Sequence, residues 1–503
     1  MKNLHKLSII LFVLVWGTSC KKSFLDLSDP TRKTADRFYQ TEDQIKQAVS
    51  GAYSSLQDHV NSQYVFAEMS SDNTTVQLNP SDRGQTDRAE AFEFWNVTAT
   101  NVNIADLYSQ SYNALYNINY ALAEMDNITA ISAAKKAQYK GELQFIRAYY
   151  YFNLVRYFGP VVLITKPLAS SSEAFDTKRS PEADVYAQIV SDLTSASTSL
   201  PAKNEYAAAD VGRAAKGAAL GLLGKVYLTM KDFPKAESTL RQILNLGYAL
   251  VPNYSDVFAT TNKNNVESLF EVQFQGGNNL GEWSSFIYTF APRNSAGAVT
   301  GFPTSRPGGW NIPTRNMIAE FEANDLRKNV ALKEGYTNSA GVFVAIPFVN
   351  KYNHPHTIEG RTDDNWPVLR YSDVLLMLSE AINEQSGPQS AYQFINMVRA
   401  RAGLTALSGL TQESFRMAIR HERRVELAFE NDRWFDLKRA FTSSQMANVL
   451  NAHGSLEKAA PTVDRGGVPF TGNDYRFDTF EALYPIPDRQ LFLDKNLTQN
   501  PGY

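Results

Sequence analysis

Charged side chains are concentrated in residues 419–439, which read IRHERRVELAFENDRWFDLKR. Glu422 and Glu426 stand four residues apart, a spacing that brings Cβ atoms to about 5–6 Å on a helix. Paired carboxylates in such proximity could hydrolyse a glycosidic bond. A structural ion-pair network explains the segment better, with Arg423 meeting Glu426 at the i,i+3 spacing. The hydrophobic residues that such a helix would turn toward the core are Val425, Leu427 and Phe429.

Other reactive groups lack the spacing of a known site. His354 and His356 could ligate a metal, but no acidic or histidine partner stands at a helical spacing from them. Residues 72–73 (Asp-Asn) and 363–364 (Asp-Asp) could donate oxygens to calcium, yet neither pair has the spacing of a calcium loop. The sequence has no Gly-x-Ser-x-Gly elbow and no glycine-rich phosphate loop. We therefore expect no catalytic residue, no metal and no cofactor.

Composition narrows the class of protein. The chain has 503 residues, and its 49 Lys and Arg nearly balance its 52 Asp and Glu. Nucleic-acid binding needs a basic excess or stripe, so this balance argues against that class of partner. The single cysteine, Cys20, excludes an internal disulfide and a zinc ribbon.

The N-terminal residues predict export. Lys2 and Lys6 precede an unbroken apolar run at residues 7–16, which is too short for a membrane span of about 20 residues. Small residues at 17–19 then lead to Cys20. We predict that residues 1–19 are a lipoprotein signal peptide and that Cys20 becomes the lipidated N-terminus.

The sequence predicts pairs of helices that would form the scaffold for a binding site. Residues 213–246 match the tetratricopeptide spacing, with small Gly224 and Ala236 at the seam and Pro234 in the first turn of the second helix. Other helices are predicted at residues 41–57, 103–125, 139–158, 181–200, 372–383 and 391–402. The predicted fold class is mostly α, with about four tetratricopeptide-like helix pairs as the scaffold.

Two long polar segments interrupt the helices. Residues 60–101 and 250–368 are rich in Asn, Ser, Thr, Gly and Pro, and residues 269–274 suggest a short strand. Loops of this length in a compact protein are usually functional, so recognition is expected there. We expect one domain over 20–503, made of an N-terminal helical part (20–250), a loop-rich insertion (251–368) and a C-terminal part (369–503).

Five blocks resemble one known family. They are residues 20–30, with Cys20, Phe24-Leu25-Asp26 and Pro30, then residues 141–160, 368–381, 419–439 and 483–503. In this order they resemble the SusD/RagB family of outer-membrane nutrient-binding lipoproteins of Bacteroidetes. The resemblance covers nearly the whole chain. It implies a single helical domain and a structural role for the charged segment at 419–439.

The resemblance also implies a function. A protein of this kind lies at the outer membrane, anchored through Cys20 and facing the cell exterior. It captures an oligosaccharide and passes it to a SusC-like TonB-dependent transporter, which is its protein partner. Peptide or glycoconjugate cargo, a glycosidase using Glu422 and Glu426, and a pure protein scaffold remain alternatives.

Aromatic side chains in the long loops are the candidate ligand contacts, because the C–H faces of sugar rings stack on flat apolar rings. Sugar hydroxyls then need polar partners at the edge, and a missing partner is costly. The candidate stacking residues are Trp95, Trp283, Tyr288, Phe302 and Trp310. The candidate polar edges are Asp72, Asn73 and Arg83.

Overall fold

The computed structural model describes residues 39, 41–129, 131–168, 170, 172–278 and 281–503. The predicted signal peptide and Cys20 lie outside these residues. No helix of the described part is long and apolar enough to cross a membrane.

Helices dominate the described residues, as the sequence predicts. They are α1 (Glu42–Ala67), α2 (Glu90–Glu93), α3 (Val102–Glu124), α4 (Ala133–Phe158), α5 (Glu182–Ser199), α6 (Lys216–Thr229), α7 (Phe233–Arg241), α8 (Phe286–Phe290), α9 (Gly297–Thr300), α10 (Arg315–Glu320), α11 (Lys328–Ala331), α12 (Tyr371–Ser386), α13 (Tyr392–Arg401), α14 (Gln412–Glu426), α15 (Arg433–Ala440), α16 (Ser443–Ala459) and α17 (Asp488–Leu493).

The strands are short and pair in twos. They are β1 (Thr74–Thr75), β2 (Val161–Val162), β3 (Arg179–Ser180), β4 (Ser268–Val272), β5 (Ile312–Pro313), β6 (Leu332–Lys333), β7 (Tyr336–Thr337), β8 (Phe343–Val344), β9 (Phe348–Val349) and β10 (Trp366–Arg370). All pairs are antiparallel, in the combinations β1–β5, β4–β10, β2–β3, β6–β9 and β7–β8.

The predicted helix pairs are packed pairs in the structure: α1 with α3, α4 with α5, α6 with α7, and α12 with α13. Helix α1 starts in a capping box, because Thr41 accepts a hydrogen bond from the Gln44 amide while the Gln44 side chain accepts one from the Thr41 amide. It continues to Ala67, ten residues past the predicted end, because its last two turns bury Val60, Val65 and Phe66. The first interruption therefore begins later than the sequence predicts.

The close packing of α6 against α7 requires a glycine at position 224. A Cβ added at Gly224 would overlap the side chain of Leu240, which is fully buried across the seam. Pro234 lies in the first turn of α7, and Asp232 caps that helix by accepting from the Lys235 amide. The tetratricopeptide spacing thus predicted both the pair and its close approach.

The β4–β10 sheet connects the loop-rich insertion to the helices. The predicted strand at 269–274 is confirmed by β4, whereas β10 was not predicted. Val272, at the end of β4, stands opposite Trp366, at the start of β10. The segment that follows β4 and the segment that precedes β10 therefore leave the sheet at the same end.

The close approach at Gly224 gives a first prediction. Gly224→Val should lower the free energy of unfolding by about 1–3 kcal/mol, because the valine side chain overpacks the seam against Leu240. Urea unfolding followed by circular dichroism measures the change. The matched control is Gly51→Val on the exposed face of α1, where an added Cβ meets nothing within 4 Å. That variant should stay within about 0.5 kcal/mol of wild type, and equal losses in both variants would contradict the packing argument.

Candidate functional site

Trp95 does not belong to an accessible surface. Its side chain is 5% exposed, and its indole N–H donates to the carbonyl of Ser70 at 3.0 Å. Its ring packs edge-on against Tyr475 and Phe477. The expectation that Trp95 stacks on a ligand is thus corrected: this tryptophan is part of the core, with its one polar atom satisfied inside it.

The side chains of Asp72 and Asn73 are also hydrogen-bonded within the protein. The Asp72 carboxylate accepts hydrogen bonds from Arg433 at 2.7 and 2.8 Å, and the Asn73 amide oxygen accepts from Arg424 at 2.9 Å. Burial alone would raise the pKa of Asp72, but the guanidinium groups of Arg424 and Arg433 lower it far below its usual range. The expectation that Asp72 and Asn73 bind ligand hydroxyls is therefore corrected. Their side-chain oxygens accept hydrogen bonds from Arg424 of α14 and Arg433 of α15 and so hold these helices to the first long loop.

Arg83 is the third predicted edge. Its guanidinium donates to both carboxylate oxygens of buried Glu90, at 3.0 and 2.5 Å. About a third of the side chain remains exposed, at 32%. That Arg83 contacts a ligand therefore stays a prediction. Its guanidinium group is already oriented by Glu90.

Tyr288 and Phe302 meet through a histidine. The Tyr288 hydroxyl and His356 Nε2 are 2.6 Å apart, and the rings of Phe302 and His356 have centroids 5.0 Å apart. All three side chains are partly exposed. From the sequence, His356 was a candidate only as a metal ligand. Its contact with Tyr288, 68 residues away, follows from the fold and has no signal in the local sequence.

Trp283 joins the same pair of loops. The guanidinium of Arg361 lies over the Trp283 ring, 4.1 Å from its centroid, and Ser284 forms a β-bridge with Thr362. Such a cation–π contact holds the ring flat against the guanidinium. We use the term aromatic patch for five partly exposed side chains: Trp283, Tyr288, Phe302, His356 and Arg361.

Trp310 is held near the patch by its backbone but faces a different space. Its amide donates to the Thr289 carbonyl at 3.1 Å, and the Gly308 amide donates to the Tyr288 carbonyl at 2.7 Å. The Trp310 side chain lines a cavity of about 330 Å³ with polar neighbours that include Gln85. Trp310 remains a predicted ligand contact outside the aromatic patch.

The imidazole ring of His354 is paired with the carboxylate of Asp364. Its Nδ1 and a carboxylate oxygen of Asp364 are 2.5 Å apart. Across the described ranges, no group of three or more histidine, cysteine, aspartate or glutamate side chains is arranged to hold a metal ion. Asp363 accepts hydrogen bonds from Lys263 and from the Gly276 amide, so this pair of aspartates anchors loops.

The carboxylates considered for glycoside hydrolysis are sealed inside the protein. Glu422 and Glu426 are both 0% exposed. Arg327 donates to both, at 2.6 and 3.1 Å, while Arg370 and Arg401 donate to Glu426 at 2.9 and 2.6 Å. The glycosidase alternative is therefore wrong, since no substrate could reach either carboxylate.

The network predicted in this segment exists, although one partner differs. Arg423 donates to Asp436 and Asp373, at 2.9 and 2.5 Å, and not to Glu426 as the i,i+3 spacing suggested. The predicted core positions Val425, Leu427 and Phe429 are buried, as expected. The partners of Glu426 come from distant parts of the chain, which the helical spacing could not reveal.

Comparisons with known proteins agree with this architecture. The model of the SusD family matches residues 326–503, and a model described as starch-binding and associating with the outer membrane matches residues 23–228. A SusD-like protein of Formosa agariphila is 28% identical over 492 residues, which cover 87% of this chain and 90% of that protein.

Solved structures share the fold over nearly the whole chain. A SusD homologue from Bacteroides thetaiotaomicron superposes with a TM-score of 0.79 at 22% identity, covering 95% of this chain and 100% of its own. A laminarin-binding SusD-like protein gives a TM-score of 0.74 at 25% identity, covering 92% of this chain and 100% of its own.

The buried network generates the second prediction. Burial alone would raise the pKa of Glu426, but Arg401, Arg370 and Arg327 lower it well below its ordinary value. Glu426→Gln leaves those guanidinium groups without their shared anion, so it should cost about 3–5 kcal/mol of stability in urea unfolding at pH 7. The matched control is Glu413→Gln on the same helix, where an exposed ion pair with Arg416 should contribute under about 1 kcal/mol.

The pH dependence checks the same residue. A carboxyl group whose folded pKa is lowered contributes stability above its unfolded pKa of about 4.3 and loses that contribution as the pH falls. The difference in stability between wild type and Glu426→Gln should therefore shrink as the pH is lowered below about 4. A difference that stays constant down to acid unfolding would show that the Glu426 charge is not the stabilising feature.

Proposed function

Because this chain belongs to the SusD family, we propose that it is a cell-surface lipoprotein that captures an oligosaccharide nutrient. Family members bind carbohydrate and are not enzymes. The observation that carries the proposal is the aromatic patch, which places three ring systems and two nitrogen-bearing side chains on one pair of loops. Sugar C–H faces can stack on the rings while the Arg361 guanidinium donates to the hydroxyls. Both ring nitrogens of His356 are already engaged, with the Tyr288 hydroxyl and with the His354 carbonyl, so His356 holds the rings in place.

The arrangement of the patch supports binding by a preformed site. Trp283 is fixed by Arg361, and Tyr288 is fixed by its hydrogen bond to His356. Rings that are held before the ligand arrives lose little conformational entropy on binding. Arg83, fixed by Glu90, and Trp310 would extend the contact area toward the first long loop.

Location and partner belong to the same proposal. We propose that residues 1–19 are removed, that Cys20 carries the lipid anchor, and that residues 20–503 form a single domain facing the cell exterior. A SusC-like TonB-dependent transporter would then receive the captured oligomer. One matching family model is described as associating with the outer membrane, which supports this location.

The third prediction tests the patch. Trp283→Ala, Tyr288→Ala and Phe302→Ala should each weaken the binding of laminarin oligosaccharides, measured by isothermal titration calorimetry, by roughly tenfold, as expected when a central aromatic contact is removed. Laminarin is the first probe because a structural neighbour is described as binding it. A panel of other neutral oligosaccharides and of peptides follows if laminarin gives no heat with the wild-type protein.

Melting temperatures separate contact from folding. The three patch variants should melt near the wild-type temperature, whereas Trp95→Ala should lose about 3–5 kcal/mol of stability because it empties a core position. Patch variants that bind the active probe as tightly as wild type would overturn the assignment of the patch. Binding of peptides in place of every oligosaccharide would overturn the choice of cargo.

A further inference from the structure

A second cavity lies on the C-terminal side of the fold, between α14, α15 and α16. Its volume is about 410 Å³, which is in the range of small-molecule sites. The side chains that line it include none from the aromatic patch. A ligand here would therefore be held independently of the patch.

One wall of the cavity is built from guanidinium groups. Its five arginines are Arg420, Arg423, Arg424, Arg433 and Arg439. Four lining carboxylates oppose them: Asp72, Glu320, Glu380 and Asp436. Arg423, Arg424, Arg433 and Arg439 already form ion pairs with carboxylates, whereas Arg420 donates to the Ala440 carbonyl and forms no ion pair within the described residues. A guanidinium group without an anionic partner favours an anion, and guanidinium groups match carboxylate geometry especially well.

Two side chains that line the cavity have polar atoms without partners. Among the described residues, Arg423 Nη2 and both ring nitrogens of His453 are buried and lack a hydrogen-bond partner. Arg423 is 1% exposed and His453 is 5% exposed, and both line the cavity. A buried donor left unpaired costs about 1–3 kcal/mol, so an acceptor supplied by a ligand would relieve that cost.

Apolar side chains line the cavity as well. Val449 and Leu456 of α16, with His453 between them in the sequence, form the Val449–Leu456 wall, and Met417 of α14 and Phe441 add to the apolar lining. Leu456 and Met417 are 60% and 54% exposed, so the apolar lining reaches the surface. A ring with one C–H face and one charged substituent would therefore contact both kinds of lining.

We propose that this cavity binds a compact acidic sugar, with the carboxylate directed at Arg423 and His453 and the ring resting on the Val449–Leu456 wall. The volume suits one or two sugar rings. This second site would add an anionic ligand class to the protein, whatever the aromatic patch binds.

Isothermal titration with D-glucuronate tests the proposal on the soluble chain that starts after Cys20. Glucuronate should bind, and D-glucose at the same concentration should not, because only the former supplies the carboxylate. Sodium sulfate at matched ionic strength should compete only weakly, since it lacks the ring. Absence of glucuronate binding, equal binding of glucose, or sulfate binding as tightly as glucuronate would each overturn the proposal.

Two isosteric variants at the cavity mouth separate charge from bulk. Ala452 is exposed and lines the cavity, so either a glutamate or a glutamine fits there without entering the core. Ala452→Glu should weaken glucuronate binding at least about tenfold relative to Ala452→Gln, because its carboxylate repels the ligand. Equal affinities of the two variants would contradict an anion site.

A third variant examines the buried histidine. His453→Leu removes two ring nitrogens that make no hydrogen bond within the described residues. It should keep the wild-type melting temperature and weaken glucuronate binding severalfold. If the variant is unstable, the Ala452 pair decides the outcome alone. Stable protein with unchanged affinity would remove His453 from the site and overturn the proposal as stated.

Discussion

The structure depends on pairing charges that have been removed from water. Arg370 is 2% exposed, and it donates to Glu267 before β4, to Glu426 at the end of α14, and to Glu430 beyond that helix, at 2.7–2.9 Å. Each of these charges is costly to bury alone and tolerable only together with the others. Because Arg370 is the last residue of β10 and directly precedes α12, one side chain fixes the sheet against the C-terminal helices.

This constraint places the candidate binding loops. The β4–β10 sheet is antiparallel, so the segment after β4 and the segment before β10 emerge at the same end. The first segment carries Trp283 and the second carries His356 and Arg361. A two-stranded sheet with five residues in each strand, tied to buried glutamates, thus positions loops that contain little regular structure of their own. A rigid scaffold with binding residues on its loops is the usual arrangement for recognition.

The sequence predicted the scaffold well and the site only in part. Helices were predictable because small and large residues repeat at helical spacing, as at Leu220, Leu223 and Gly224 in α6 and at Ala236 and Leu240 in α7. The buried position of Trp95 was not predictable, because a tryptophan in a polar loop segment gives no sign of whether the loop folds into the core. Asp72 likewise reads as a free carboxylate until Arg424 and Arg433, more than 350 residues away, are brought beside it. Residue types within a loop predict candidates, and only the long-range fold decides which of them face a ligand.

The central claim is that two loops held by the β4–β10 sheet form a glycan site. Hydrogen–deuterium exchange with and without a saturating laminarin oligosaccharide tests it most directly. The account predicts slower exchange at residues 281–311 and 353–363 on binding, with α14 unchanged because it carries no residue of the aromatic patch. Protection confined to other parts of the chain, with both loops unaffected by a bound oligosaccharide, would contradict it.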